Sequence, residues 1–441
     1  KILEKKELRC RLKNNIVPSI GALLVNNISV ETLQNAPLSH YQFVLENHKW
    51  FENFSPAYFT GYNVQGFDIE FYRRMLFKNL LPNWYQTNTN GNKIHDLLPH
   101  IRVAKLLNRN VVATKLNAKG NDSFRLADIA EINNFNHGDA HTSIVDCLNT
   151  IELAKRIKDV TPDIWQASLT TAHKRDTEAL INKEKVFSTY EYFYSRARCF
   201  VNKYLFNHPV YNWAICWDLK QHPKDYLELD YSSLVNSLQK APKPIRTVKQ
   251  NKNPLILSKD YGLKTEPYSE IGLNEIMERA KLLDENPKFV NSINSILEEQ
   301  AQSKQDFDQT PLLHEETIYA GGINIPQSDK LNMKKFHEVD LKGKLSLVEK
   351  FTQERFSYFA KCILYEEYPK EELPETIYNE MHRHFAKRLT SLNNEKWETF
   401  ASFYNELDNQ RKKFEEDESK LQILEGYNNY VENMEKRFIN A

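Results

Sequence analysis

The chain has no excess of charge of either sign: its 441 residues include 59 Lys+Arg and 59 Asp+Glu. That excludes a protein that gathers a polyanion through a global basic field, so any such ligand must be met by local patches. No Cys-x-x-Cys pair occurs. The five cysteines (Cys10, Cys147, Cys199, Cys216, Cys362) are scattered, which argues against a disulfide framework or zinc knuckle and for reduced thiols in a cytoplasmic protein. No apolar run approaches the length of a membrane span, and no signal-peptide pattern is visible. Glycine is scarce at 12 residues, which excludes glycine-rich β repeats. Aspartate is absent from residues 1–67, so Asp68 is the first in the chain.

Aromatic residues are abundant: 24 Phe, 22 Tyr and 6 Trp. With little glycine, they favour helix-rich, well-packed domains, and the length suggests two or three of them. Residues 1–160 alternate strand-like and helix-like stretches. Leu8-Arg-Cys-Arg-Leu12 looks like a strand, and Ile20–Val25 and Ala57–Tyr62 are short apolar runs. Phe67–Leu81, Ile94–Leu107 and His141–Ile157 carry apolar residues at helical spacing. This alternation predicts an α/β domain. From about 186 to 260 the chain turns strand-rich (Tyr211–Trp217, Ile245–Val248, Leu255–Leu257), and between Asp230 and Asp260 it has six Lys/Arg and no acid. Helix follows to Glu299, the polar stretch 300–309 reads as a linker, and long amphipathic helices fill the rest.

Two motifs carry chemistry. Gly61-Tyr-Asn63 closes an apolar strand just before Phe67-Asp68, at the carboxyl edge of a sheet where α/β sites gather. His141 stands five residues ahead of Asp146. Residues five apart on a helix lie roughly 140° apart, so the pair works best with His141 on the lead-in turn and Asp146 inside the helix. A His at a loop–helix junction suits a general base, and a helix-borne Asp suits a metal ligand. Taken singly, each has a plain use: an Asp near a helix start is commonly a cap, and a lone His is commonly surface.

Together the motifs resemble those of the bacterial exodeoxyribonuclease I family. Gly61-Tyr-Asn63 through Phe67-Asp68-x-Glu70 is similar to the family's second exonuclease motif, and Ala140-His141 to Asp146 to the third in its histidine form. His95-Asp96-Leu-Leu98 resembles its Trp-Asp-Leu-Leu segment with His in place of Trp, and Ser123-Phe-Arg-Leu126 resembles its Ser-Phe-Arg-Leu. Glu285-Asn-Pro287 and Ile318-Tyr-Ala-Gly-Gly322 resemble landmarks outside the nuclease core.

The resemblance implies a ribonuclease-H-like α/β exonuclease core over 1–160 lacking its first strand. An SH3-like β-containing domain with a helical extension would follow over 161–310, and an all-α domain over 311–441. It implies an exodeoxyribonuclease that removes 5′-mononucleotides from 3′ ends of single-stranded DNA in repair, with two Mg²⁺ ions. Asp146 and Asp68 would be metal ligands and His141 the general base. Arg125 would grip the terminal nucleotide, and Arg73, Arg102 and Lys174 would follow the DNA path. Trp84 and Tyr85 are candidate stacking faces, although Trp84 reads better as core. Lys240, Lys243, Arg246, Lys249 and Lys252 form a candidate channel wall. The implied partners are single-stranded DNA and the single-strand DNA-binding protein, with no membrane, for a monomer.

The family's first motif, Asp-x-Glu, has no match. Pairing Leu8–Leu12 with the family's second strand places that motif upstream of Lys1, so the chain reads as cut at its N-terminus and inactive as given. The helix containing Ile363-Leu-Tyr-Glu-Glu-Tyr-Pro369 is acidic where relatives tend to be Arg-rich, so no DNA contacts are assigned to it. The alternative from another class is a non-catalytic single-strand DNA-binding or repair scaffold derived from such a nuclease.

Overall fold

A computed structural model describes residues 1–135, 143–193, 196–307, 311–320 and 325–439, the side chains of 304–307 excepted. Its contacts divide the chain into two compact units. One comprises Lys1–Ser55, Phe71–Tyr85 and Leu312–Ala441; the other comprises Pro56–Glu70 and Gln86–Pro311.

The second unit contains all seven strands of the described residues. β1 (Tyr58–Gly61) and β2 (Lys93–Asp96) form a parallel pair, with Tyr58 opposite Lys93 and Gly61 opposite Asp96. Helices Leu97–Leu107, Leu126–Ile132 and Ser143–Val160 follow. Leu97, Ile101, Ile129, Leu153 and Ile157, each fully buried, build one core with Leu255 and Leu257. Ile94–Asp96 is strand rather than the first turn of the expected helix. Its backbone is engaged by β1, and the helix starts only where Asp96 accepts from the Leu98 N–H as its cap.

The strand-rich region is a five-stranded antiparallel sheet of β3 (Val186–Phe193), β4 (Arg196–Asn207), β5 (Ala214–Asp218), β6 (Ile245–Val248) and β7 (Ile256–Ser258), in the order β6-β5-β4-β3-β7. Every residue of β5 is buried, as befits the near-continuous apolar run Ala-Ile-Cys-Trp. Helix Pro287–Phe307 runs through most of the stretch expected to be a linker. Ala301 is buried on it, so the polar residues there are one face of a helix.

The first unit is helical. Phe356, Phe359 and Ile363, spaced three and four apart, are buried together with Phe77, Trp84 and Phe336. Phe77 meets Phe359 and Trp84 edge-on, each at 5.0 Å between ring centroids. Trp84 is therefore core and has no free face for a base. Leu424, Tyr427 and Val431 on the last helix, Glu418–Phe438, form a second core with Met381, Phe385 and Phe403.

Two short runs near the N-terminus differ from the strand expectation. Ile20–Asn26 is a helix, because Ile20, Leu23 and Leu24 fall at helical spacing and pack on that second core. Cys10 makes only an isolated bridge to Leu38, so Leu8–Leu12 is not a strand. No described helix is long and apolar enough to cross a membrane.

Candidate active site

The candidate site grows from the end of β1. Gly61 must be glycine, since a Cβ there would stand 2.9 Å from Val64 Cβ. The chain then turns through Asn63 in the left-handed region (φ 60°), a conformation Asn tolerates better than most residues. Val64 and Ile69 close on Ile94 beneath the turn. The Ile69 N–H reaches the Val64 carbonyl at 3.0 Å, and a helix begins at Asp68, running to Lys78.

Asp96 holds this turn from below. One carboxylate oxygen accepts from the N–H groups of Asn63 (2.8 Å) and Leu98 (3.1 Å), the other from Gln65 (3.0 Å). Burial raises its pKa against the lowering effect of those bonds. Asn253, from the far end of the β region, braces Asp96 in turn. Its side-chain oxygen accepts the Asp96 N–H at 3.0 Å while its amide donates to the Ser168 carbonyl at 2.8 Å. His95, 0 % exposed, bonds Ser168 Oγ at 2.8 Å and stacks on His100. It fills space as an aromatic, in keeping with the Trp expected there.

Asp68 stands at the first position of its helix and Asp146 in the first turn of Ser143–Val160, both at the surface. Burial foremost, then the nearby Asp96 carboxylate, raises the Asp68 pKa, with its own backbone N–H working against them. Burial also raises the Cys147 thiol, and the Asp146 and Asp68 carboxylates add to the rise. One thiol thus feels both sequence-selected acids. His141 lies outside the described residues. Among the described residues no group of three or more His, Cys, Asp or Glu could hold a metal ion. With Asp68 and Asp146 alone, the described residues do not by themselves make a two-ion site.

The basic residues have different settings in the structure. Arg125 caps the start of Leu126–Ile132 through its backbone. Its side chain is exposed, without a hydrogen-bond or ion-pair partner among the described residues. The segment carrying it is pinned by Ser123 Oγ donating to Asp128 (2.6 Å) and by the Tyr62 hydroxyl donating to the Phe124 carbonyl (2.5 Å). Arg102 lies 3.8 Å over the Tyr192 ring in a cavity of about 590 Å³ that also holds Arg109 and Arg196. Lys174 is exposed and loosely paired with Glu178 at 3.5 Å. Arg73 belongs to the helical unit, where it sits 5.0 Å from the Tyr85 ring centroid.

The acid-free stretch is not a bare cationic wall. Arg246 is stacked on Phe200 and lies within 4 Å of Glu191 and Asp218, Lys252 faces Glu70 at 3.6 Å, and Lys249 covers Trp213. Lys240 and Lys243 remain exposed.

No family model matches the chain. Exodeoxyribonuclease I of Escherichia coli is 26% identical over 311 residues, covering 67% of this chain and 65% of that protein. The Haemophilus influenzae enzyme of the same name is 27% identical over 173 residues, 39% of this chain and 36% of its own length. The chain thus spans less than two thirds of these relatives. Among solved structures, E. coli exonuclease I with a dA16 oligonucleotide superposes with a TM-score of 0.82 at 21% identity, covering 98% of this chain and 92% of that one. The chain is a relative of exodeoxyribonuclease I. A moderately thermophilic exonuclease I from Methylocaldum szegediense gives a TM-score of 0.81 at 19% identity, covering 98% of this chain and 92% of that one. The exonuclease I fold thus accounts for the mixed α/β core, the β region and the helical C-terminal part.

Asp96 and Asn253 are the residues that sequence reasoning underrated. Asp96 was visible as part of a motif, but nothing local marked it as the anchor of a turn some thirty residues earlier.

Proposed function

We propose that the protein is an exodeoxyribonuclease acting on 3′ ends of single-stranded DNA, releasing 5′-mononucleotides with Mg²⁺. The observation that carries this reading is the near-complete superposition on an exonuclease I bound to a dA16 oligonucleotide. In this reading Asp68 and Asp146 bind metal, His141 takes the proton of the attacking water, and Arg125 holds the terminal nucleotide. Arg102, Arg73 and Lys174 follow the strand, for which guanidinium forks suit phosphate.

The reading includes the division into a core (1–160), an SH3-like region (161–310) and a helical region (311–441). It also includes a monomer that works in the cytoplasm in DNA repair. The single-strand DNA-binding protein is a partner, in line with a structure described as SSB/Exonuclease I at 21% identity to this chain. The same reading takes the chain as given, with no aspartate ahead of Asp68, to be inactive until an Asp-x-Glu strand is restored ahead of Lys1.

A second reading is a non-catalytic single-strand DNA-binding or repair scaffold derived from such a nuclease. The two readings separate in one experiment. A 5′-labelled single-stranded oligonucleotide is titrated with protein carrying an Asp-x-Glu strand restored ahead of Lys1 and then incubated with Mg²⁺. Binding followed by shortening from the 3′ end supports the enzyme; binding without shortening at any enzyme excess supports the scaffold. Absence of both would overturn the two together.

A further inference from the structure

The helical unit encloses a cavity of about 300 Å³ that the nuclease reading does not use. Its volume is at the lower end of the range that accepts small organic ligands. Phe359, Ile363, Phe385 and Leu389 give it apolar walls, and its charged groups are nearly all satisfied. Lys13 pairs with Glu366 at 2.7 Å, Arg388 with Glu315 at 2.6 Å, and Lys396 with Glu316 at 2.7 Å. Glu398 accepts from Ser402 at 2.7 Å.

Lys78 is the exception. It lines the same cavity from the last turn of the Asp68–Lys78 helix, and its ammonium has no hydrogen-bond or ion-pair partner among the described residues. Burial foremost, then the nearby Lys13 ammonium, pushes its pKa down; Glu315 and Glu366 oppose this without touching it. On the same wall the Asn15 amide oxygen is buried and also unpartnered. Lys78 is half-buried, and its ammonium, unpaired by protein, is open to the recess, where an acceptor entering from outside can meet it.

We propose that this cavity binds a small amphipathic organic anion, with one carboxylate- or sulfonate-like group on the Lys78 ammonium and an apolar body against Phe359, Ile363 and Leu389. The three ion pairs around it leave no second unpaired cation on the wall, so a single negative charge matches best. The apolar lining selects against inorganic phosphate or other small hydrated anions, which would forgo the walls.

The test uses the whole chain and two probes of one skeleton, anilinonaphthalene sulfonate and the neutral anilinonaphthalene that lacks the sulfonate. Fluorescence titration of the unaltered protein is expected to show one saturable site that prefers the anionic probe at least ten-fold. In Lys78→Met that preference is expected to vanish while the neutral probe still binds. Lys412→Met, which removes an exposed charge elsewhere, is expected to change neither. Equal binding of the two probes by the unaltered protein, or no saturable site, overturns the proposal without reference to any variant. So does an undiminished anion preference in Lys78→Met.

Discussion

Asp96→Asn tests the support of the candidate site most sharply, because the substitution keeps shape and removes one acceptor. In the native turn one Asp96 oxygen serves Asn63 and Leu98 while the other serves Gln65. The single oxygen of Asn can keep the first two bonds, the Leu98 cap among them, since Asn caps helices as well as Asp. Its NH2 group must then face the Gln65 N–H, leaving a buried donor unmet. That costs roughly 1–3 kcal/mol, and relief of the buried charge, whose pKa burial already raises, brings the figure towards the lower end. The turn leads directly into Asp68, so its displacement carries into the acidic neighbourhood. A misplacement near 1 Å there can cost about 100-fold in rate. Amide hydrogen exchange is the assay: Gln65 should lose protection by a factor of about 5 or more while Leu98 keeps it, and digestion of single-stranded DNA by the chain with its first motif restored should fall with it. Unchanged Gln65 protection with unchanged digestion would refute the anchoring role.

Other perturbations follow from the same contacts. Gly61→Ala should destabilise the second unit by about 1–3 kcal/mol in urea unfolding, because the added methyl meets Val64 at 2.9 Å. Phe77→Ala should cost about 3–5 kcal/mol in the helical unit, where that ring packs against Phe359 and Trp84. Arg102→Ala should weaken binding of a single-stranded oligonucleotide and reduce the slope of log affinity against log salt by about 0.7, the value for one phosphate contact; an unchanged slope would remove Arg102 from the DNA path. Acid should destabilise both units. Burial holds His40 and His100 at about 3 and His95 and His337 at about 4. These histidines stay neutral when folded and bind protons when unfolded, so their contribution is full above pH 6.5 and falls as pH drops. By pH 5 the loss is about 2 kcal/mol per histidine, readable as a falling urea midpoint between pH 7 and 5.

Periodicity made the amphipathic helices legible. Phe356, Phe359 and Ile363, and Leu424 with Tyr427, lie buried as their spacing foretold. The apolar run of β5 was equally plain. Short runs were ambiguous: Ile20–Val25 fits a buried strand or one helical face, and only packing on a distant core selects the helix. Ile94–Asp96 looked like helix because nothing in four residues announces that β1 will pair with them. Of the candidate site, Asp68 and Asp146 were legible from motifs. Asn253, some 150 residues from the backbone N–H it accepts, was not, because a long-range side-chain-to-backbone bond leaves no periodic trace. Charge counting also overreached. The cations of 240–252 looked like one wall in sequence, but Arg246 and Lys252 face carboxylates in space. Conversely, Glu366 of the acidic Ile363–Pro369 segment is held by Lys13.

The central claim is that Asp68 and Asp146 are two ligands of a divalent-metal site that shortens single-stranded DNA from its 3′ end. The direct measurement is Mg²⁺-dependent shortening of a 5′-labelled oligonucleotide, compared among the chain with an Asp-x-Glu strand restored ahead of Lys1 and its Asp68→Asn and Asp146→Asn variants at equal binding of DNA. Loss of 3′ shortening by at least about 100-fold in each variant, a few kcal/mol of barrier, is the predicted result. Shortening that survives both substitutions would contradict it.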